Sequence, residues 1–478
     1  MNKYNYTMMC DFYELTMING YFETKMADTI CYFDVFYRTI PDNGGYAIFC
    51  GLEQVIDYIK NLRFTDEDIK YLESRKVFKR AFLEFLKNYK FTGDIYSVRE
   101  GTPIFPNAPV MSIKARAIEA QFIETYVLSV INHQSLIATK TSRIVRTAGK
   151  ISVSEFGARR AHGADAAVLG ARAAYIAGAI GSSNTLADRL YNVPAVGTMA
   201  HSWVQMFPTE LESFIKYCEI YPDSALVLVD TYNVLKSGVP NAIKAFNQVL
   251  VPQGKRPLGI RLDSGDIAYQ SKIARKMLDD AGFSDCRIFA SNSLDEYLIR
   301  DLLFQGAKVD SFGVGERLIT SKSSPVFDGV YKLVATEENG KIVPKIKVSE
   351  NVGKITNPHY KKVYRLYDRH TNKAEADLLT VYDEVVNDEE PYELFDPNAT
   401  WKRKILANFR KEELLIQIFK NGKQVYTSPT IADIRKYCKE QMETLWDEVK
   451  RLEYPHKYYV DLSQKLWDIK NDLLNKEK

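Results

Sequence analysis

Between residues 151 and 320, short apolar runs of strand length alternate with longer amphipathic stretches. The runs fall at 151–155, 195–198, 225–229, 258–262, 287–290 and 309–313, with helix formers over 267–281 and 294–305. Strand and helix alternating in this way predict a parallel sheet, open or closed into a barrel. The flanking sequence is patterned differently. Residues 11–20 predict a helix ending at Gly20. Residues 29–37, rich in β-branched and aromatic side chains, predict a strand. Helices are expected over 77–89 and 118–148, with short strands over 93–98 and 110–114 around a proline-bearing loop. Beyond Asp328, runs at 329–334 and 345–348 predict a hairpin turning at Glu337-Glu-Asn-Gly340. Helices are expected over 430–452 and 462–474, and the acidic Asn387-Asp-Glu-Glu390 reads as a linker or loop. This pattern divides the chain into an N-terminal α+β domain (1–150), an α/β barrel carrying the site (151–328), and a hairpin with a C-terminal α+β region packing on the other domains (329–478).

In parallel α/β folds, ligands gather at the carboxyl ends of the strands. Those ends carry Glu155 with Arg159 and Arg160, then His201, Asp230, Arg261 with Asp263 and Asp266, Ser291 with Asn292, and Gly313 with Gly315. His201 follows the apolar run Val193-Pro-Ala-Val-Gly-Thr198, so a strand is expected to deliver it to a loop mouth. A histidine there can attack phosphorus or move protons near neutrality, or it can cap or pack. In Gly259-Ile-Arg-Leu-Asp-Ser-Gly-Asp266, Arg261 could grip a carboxylate or phosphate with both arms. Asp263 and Asp266 could bind ribose hydroxyls, hold hydrated Mg²⁺ or steady a developing cation; equally, the segment reads as an ion pair, a turn and a helix cap. Gly313 and Gly315 would let backbone approach an anion, or simply turn tightly. Arg159 and Arg160 could receive an anionic substrate or sit solvated. Gly181-Ser-Ser-Asn184 offers small donors or a cap for a helix from Thr185. Lys140, Arg143 and Arg146 share a helix face, as a basic edge for a pyrophosphate or as a solvated surface. Tyr13 could be an aromatic lid or a packing residue.

Composition narrows the class. With 478 residues, 46% of them hydrophobic, the chain can bury a large core and more than one domain. A net charge of +3, spread without a basic tail, excludes a general nucleic-acid binder. The six cysteines form no C-x-x-C pair and read as thiols of a reducing compartment. With no signal peptide and no apolar run of about 18 residues, the expected location is the cytoplasm, without a membrane span. His133, His162, His359, His370 and His456 lack metal-ligand spacing, so no direct metal site is expected.

Taken in order, Asp11-Phe-Tyr-Glu-Leu-Thr-Met17, Phe156-Gly-Ala-Arg-Arg-Ala161, Gly181-Ser-Ser-Asn-Thr-Leu-Ala187, Gly197-Thr-Met-Ala-His-Ser202, Arg261-Leu-Asp-Ser-Gly-Asp266, Gly313-Val-Gly315 and Gly329-Val-Tyr-Lys-Leu-Val334 closely resemble the nicotinate phosphoribosyltransferase family, which is a type II phosphoribosyltransferase family. The resemblance implies an irregular TIM-like α/β barrel with an α+β domain built from the N-terminal region and later segments. It implies transfer of phosphoribosyl from phosphoribosyl pyrophosphate to nicotinate, driven by ATP through a transient phosphohistidine at His201. Mg²⁺ would accompany the diphosphate, and the enzyme would be a homodimer with shared active sites. By the same resemblance, Tyr13 would stack on the pyridine ring, from the partner subunit. Arg159 and Arg261 would meet the ring and its carboxylate, with Thr198 nearby and Asp263 beside the reacting centre. Asn292, Gly313 and Gly315 would hold the ribose phosphate. In the similar enzyme that uses nicotinamide, an aspartate stands where Ser182 stands here; a serine can donate to a carboxylate that an aspartate would repel, which favours the acid. Two departures are Glu316, where many relatives carry threonine, and Asn357-Pro-His-Tyr-Lys-Lys362, which lacks a family glycine before Lys361 and Lys362. Two other readings remain: transfer to another pyridine such as nicotinamide or quinolinate, and a non-catalytic binder of phosphate ligands.

Overall fold

The computed structural model describes residues 5–476. They gather into two compact units, one from the residues up to Leu136 together with those from Val326 onward, the other Ile137–Pro325. The architecture is mixed α/β. Among the described residues no helix is long and apolar enough to cross a membrane.

The first unit is organised by a seven-stranded antiparallel sheet in the order Lys341–Pro344, Val330–Glu338, Ile30–Phe36, Met111–Arg116, Asp94–Ser97, Ile416–Lys420 and Lys423–Gln424. Its core mixes Phe33, Val35, Ile95 and Ile113 of the sheet with Ile18, Val55, Ile59, Leu72 and Phe82 of four helices. The first helix, Phe12–Glu23, runs past Gly20. An interior glycine costs a helix about 1 kcal/mol, which does not stop it here; nothing crowds Gly20, and the Thr24 hydroxyl donates to its carbonyl at 2.7 Å. The helix expected over 77–89 is shorter, Arg80–Leu86, and that over 118–148 breaks into Ala117–Ala120 and Glu124–Ala148. Leu52–Asn61 and Asp66–Ser74 are helices not anticipated from the sequence, although Thr65 and Asp68 form a reciprocal capping box. The hairpin is tighter than expected. Asn339 (φ 53) and Gly340 (φ 73) make a two-residue turn that pairs Glu338 with Lys341, so the second strand is Lys341–Pro344 and not 345–348.

The C-terminal region holds unanticipated strands: a four-stranded sheet of Phe409–Glu413, Lys361–Asp368, Ala374–Val381 and Val460–Leu462, and the pair Tyr392–Asp396 and Ala399–Leu406. Their burial rests partly on a fully enclosed ion pair. Arg365 donates to both carboxylate oxygens of Asp377 at 2.7 and 2.8 Å, and the Tyr458 hydroxyl donates to the same carboxylate at 3.1 Å. The helix expected over 430–452 ends at Thr444.

Glu14 is fully buried on the Phe12–Glu23 helix. One carboxylate oxygen accepts from the Thr125 amide and hydroxyl at 2.9 and 2.6 Å, and the other has no partner among the described residues. Burial lifts its carboxyl from 4.5 to about 8. The folded state therefore holds a proton that the unfolded chain releases earlier, so this contribution to stability is complete below 4.5 and is lost as pH rises through about 8. Glu14→Gln should melt above wild type by a margin that widens between pH 5.5 and 8.5; a margin independent of pH would contradict the buried proton.

The second unit is built on five parallel strands in the order Ser152–Glu155, Ser311–Val314, Arg287–Asn292, Gly259–Leu262 and Leu226–Leu228. Beyond Ser152–Glu155 the order continues through parallel bridges from Glu155 to Ser182 and from Ser182 to Ala195. The strand expected over 195–198 is reduced to that one bridge. Pro194 has no amide to donate, and only its carbonyl and the Val196 amide reach Ser182. Helices Ala164–Ile176, Glu210–Ile220, Ile267–Asp280 and Glu296–Phe304 intervene. Lys140 and Arg143 are neither a basic edge nor a solvated face. Both are buried and donate to one oxygen of the fully buried Glu296, at 2.9 and 3.0 Å. Arg146 alone of the three is exposed.

Candidate active site

The penultimate residue of the Gly259–Leu262 strand is an arginine held from several sides. Arg261 donates through Nη2 to Asp263 Oδ1 at 2.9 Å and through Nε to the Ser291 hydroxyl at 2.8 Å. Its Nη1 lies 3.4 Å from the Met199 carbonyl, and the guanidinium sits 5.8 Å from the Phe156 ring centroid. Ser291 passes its own hydrogen to Asp263 Oδ1. A planar cation fixed this way presents its remaining edge with little entropy left to lose. The following turn passes through Gly265 (φ 77), and Asp266 caps the Ile267–Asp280 helix by accepting the Tyr269 amide at 2.9 Å. The Asp-Ser-Gly-Asp segment thus serves both readings: Asp263 faces the site and Asp266 is a helix cap.

His201 opens the short helix His201–Gln205 instead of ending a strand. Its Nδ1 lies 3.2 Å from the Thr231 hydroxyl and its Nε2 3.8 Å from Asp263 Oδ2, with the side chain 41% exposed. Thr198 donates its hydroxyl to the Leu226 carbonyl, tying the 195–200 segment to the Leu226–Leu228 strand. Asp230, just beyond that strand, accepts the Asp263 amide at 3.1 Å and the Ser264 hydroxyl at 2.6 Å on one oxygen. Its other oxygen is buried without a partner among the described residues.

On the other side of the sheet, Arg159 lies in the turn Ala158–Arg160 after the Ser152–Glu155 strand. It is exposed, and among the described residues its guanidinium makes no hydrogen bond or ion pair. Ser182 is fully buried, donates its hydroxyl to Glu155 Oε2 at 2.6 Å and accepts the Asn184 amide at 3.0 Å. Its proton is therefore committed within the protein. Asn184 caps the Thr185–Tyr191 helix through the Leu186 and Ala187 amides.

The glycines of the Ser311–Val314 strand and its exit differ in purpose. A side chain on Gly313 would strike the Phe156 ring at 2.5 Å, so that position is small to admit the ring. Gly315 is roomier, with the Phe156 carbonyl 3.3 Å from where a Cβ would stand. Asn292 ends its strand at φ 116, a backbone region that costs a non-glycine residue energy and recurs at ligand sites. Glu316 is solvent-facing and pairs with Lys322 at 2.9 Å.

The strand ends of the second unit therefore bring together Arg159, Ser182, Thr198, His201, Arg261, Asp263, Asn292, Gly313 and Gly315. Tyr13 belongs to the first unit, where it is exposed on the Phe12–Glu23 helix. Lys361, also in the first unit, is buried, pairs with Asp34 at 2.8 Å and donates to the Asn357, Pro358 and His359 carbonyls. Lys362 lines a cavity of about 190 Å³ in that unit with Tyr96, Tyr360 and Tyr382. Among the described residues no group of three or more His, Cys, Asp or Glu side chains is placed to hold a metal ion. Thr231 is a site residue that sequence reasoning missed: a lone threonine after Asp230 carries no signal until the histidine is seen against it.

Comparison with known proteins gives three matches to family descriptions. Residues 8–132 match the nicotinate phosphoribosyltransferase N-terminal domain, 151–383 the nicotinate phosphoribosyltransferase family, and 360–470 its C-terminal domain. The chain is 44% identical to a nicotinate phosphoribosyltransferase of Bacillus subtilis (strain 168), over 98% of this chain and 95% of that one. It is 31% identical to one of Caenorhabditis elegans, over 98% and 93%. The crystal structure of human nicotinic acid phosphoribosyltransferase superposes with a TM-score of 0.84 at 27% identity, covering 97% of this chain and 99% of that one.

Proposed function

We propose, from the premise that this chain belongs to the nicotinate phosphoribosyltransferase family, the route by which its residues perform that activity. The enzyme joins nicotinate to the phosphoribosyl group of phosphoribosyl pyrophosphate, giving nicotinate mononucleotide and pyrophosphate in NAD biosynthesis. The pyridine nitrogen attacks C1 of the ribose as the bond from C1 to the pyrophosphate oxygen breaks. Positive charge builds on the ribose in that transition state, and the Asp263 carboxylate stabilises it. Arg159 and Arg261 take the nicotinate carboxylate and ring edge, with Thr198 beside them, and Asn292, Gly313 and Gly315 form the ribose-phosphate seat. What supports an anionic substrate is the exposed, uncommitted guanidinium of Arg159.

ATP enters through His201. An imidazole nitrogen attacks the γ-phosphorus, ADP leaves, and the phosphohistidine is later hydrolysed to phosphate. The observation that carries this reading is the pairing of His201 with Thr231 at Nδ1 while Nε2 lies 3.8 Å from Asp263. If Nδ1 gives its hydrogen to Thr231, the lone pair stays on Nε2, the nucleophilic nitrogen. Mg²⁺ arrives with the diphosphate as part of the substrate; Asp263 and the unpartnered oxygen of Asp230 suit its coordinated waters. We assign a homodimer with shared sites, in which Tyr13 reaches the pyridine ring of the partner. Supporting it, Met9, Phe12, Tyr13 and Met17 are all exposed on or beside one helix. The cytoplasm is the assigned compartment, consistent with six free cysteines.

The test is to incubate the enzyme with nicotinate, phosphoribosyl pyrophosphate and Mg²⁺, with and without ATP, and follow nicotinate mononucleotide and ADP by chromatography. ATP-enhanced product with ADP release is expected. Product that ignores ATP would remove the coupling, and turnover of nicotinamide in place of nicotinate would overturn the substrate.

A further inference from the structure

Glu155 is a carboxylate with an unusual set of partners. It ends the Ser152–Glu155 strand and is fully buried. No cation pairs with it among the described residues. One oxygen accepts the Gly157 amide, two residues on, and the other accepts the Ser182 hydroxyl at 2.6 Å. Its backbone carries the same connections: its amide donates to the Gly181 carbonyl at 3.0 Å, and its carbonyl accepts the Ser183 amide at 2.9 Å. Burial raises its carboxyl above the ordinary range, against the pull of the Ser182 and Gly157 hydrogen bonds. A buried acid without a counter-charge is costly, so holding one here needs a reason beyond packing.

Its neighbours supply that reason. Gly157 starts the turn that carries Arg159, and the Arg160 amide closes that turn on the Gly157 carbonyl at 2.7 Å. Gly157 is also pinned from behind, since a side chain there would strike Ile319 at 2.6 Å and the Gly315 carbonyl at 2.7 Å. Phe156, between the two anchored residues, fills the space left by Gly313 and lies under Arg261. One side chain therefore ties the turn bearing Arg159 to the Gly181–Asn184 segment.

We propose that Glu155 is a positioning residue for nicotinate recognition: through the Gly157 amide and the Ser182 hydroxyl it sets where Arg159 meets the substrate carboxylate. This rests on the nicotinate reading above. Outer-shell partners that orient metal ligands typically change affinity or activity by about 10–100-fold when removed; by that analogy Glu155→Ala should raise the KM for nicotinate about tenfold. The KM for phosphoribosyl pyrophosphate and kcat should move by less than about threefold, a split that general loss of structure would not give. Glu155→Gln keeps an acceptor for the Gly157 amide and replaces the oxygen that accepts the Ser182 hydroxyl with an amide that can donate to it, so it should restore most of the nicotinate KM.

The deciding experiment is a cycle of Glu155→Ala, Arg159→Ala and the double variant, with amide hydrogen exchange over residues 156–160 measured on the same proteins. If Glu155 acts through Arg159, the double variant binds nicotinate no worse than Arg159→Ala, and exchange over 156–160 quickens in Glu155→Ala. Additive losses, equal rises in both KM values, failure of Glu155→Gln to rescue, or unchanged exchange would each overturn the proposal. A wild-type enzyme that leaves nicotinate unused would instead overturn the parent reading, and the exchange measurement would still report whether Glu155 holds the Arg159 turn.

Discussion

His201→Ala is expected to abolish ATP-dependent product formation and leave only slow, ATP-independent transfer. Losing a general acid or base typically costs about 10²–10⁴ in rate, whereas losing a nucleophile removes its covalent step, and here that loss falls on one half of a coupled reaction. ADP release should fall to background, because the imidazole that takes the phosphoryl group is gone. Slow transfer should survive, because Arg159, Arg261 and Asp263 are untouched and still orient the two substrates. Quench-flow with γ-labelled ATP reads both halves: wild type should carry acid-labile label on the protein, and His201→Ala none. Normal ADP release by the variant would move the phosphorylation elsewhere. Thr231→Val should resemble a weaker His201→Ala, since it removes the hydroxyl at Nδ1, 3.2 Å away, without removing the ring.

Glu296→Ala is expected to be the most destabilising single change in the second unit. Glu296 has no exposed surface, and Lys140 and Arg143 beside it are 2% and 5% exposed at the side chain. Deleting one member of a buried ionic cluster costs about 3–5 kcal/mol, because the buried charges left behind lose a carboxylate that faced them. Lys140 keeps the Ser323 hydroxyl at 2.7 Å and Arg143 the Tyr297 hydroxyl at 3.3 Å, but neither oxygen carries charge. Guanidinium unfolding should place the midpoint of Glu296→Ala well below wild type, with Glu296→Gln between them. Equal midpoints would mean that water reaches this cluster.

The parallel sheet was legible because short strand-like segments alternate with helix-like ones, and because polar chemistry sits near where those segments stop. Arg261 and Asp263 were visible for the same reason, whereas His201 was picked out through a run that forms one bridge and no strand. The segment 195–198 was misread as a strand because apolar content does not register that Pro194 lacks a donor. Lys140 and Arg143 were misread because their counter-ion, Glu296, lies more than 150 residues away. The C-terminal strands escaped because they alternate charged and apolar side chains over short lengths and gain part of their burial from partners remote in sequence, as Asp377 does from Tyr458. The proton of Ser182 could not be followed at all until Glu155 was found facing it.

The division of the chain between the two units also bears on its synthesis. The strand Ile30–Phe36 pairs with Met111–Arg116 soon after both emerge, but its other neighbour, Val330–Glu338, is made roughly 300 residues later. At about 5–20 residues per second, that edge waits some tens of seconds on the ribosome. The Ile137–Pro325 unit, uninterrupted in sequence, is complete before the wait ends. The nascent chain thus spends that interval with an unfinished apolar sheet edge while the middle unit is still being made, the state in which chaperone capture or aggregation would compete with completion.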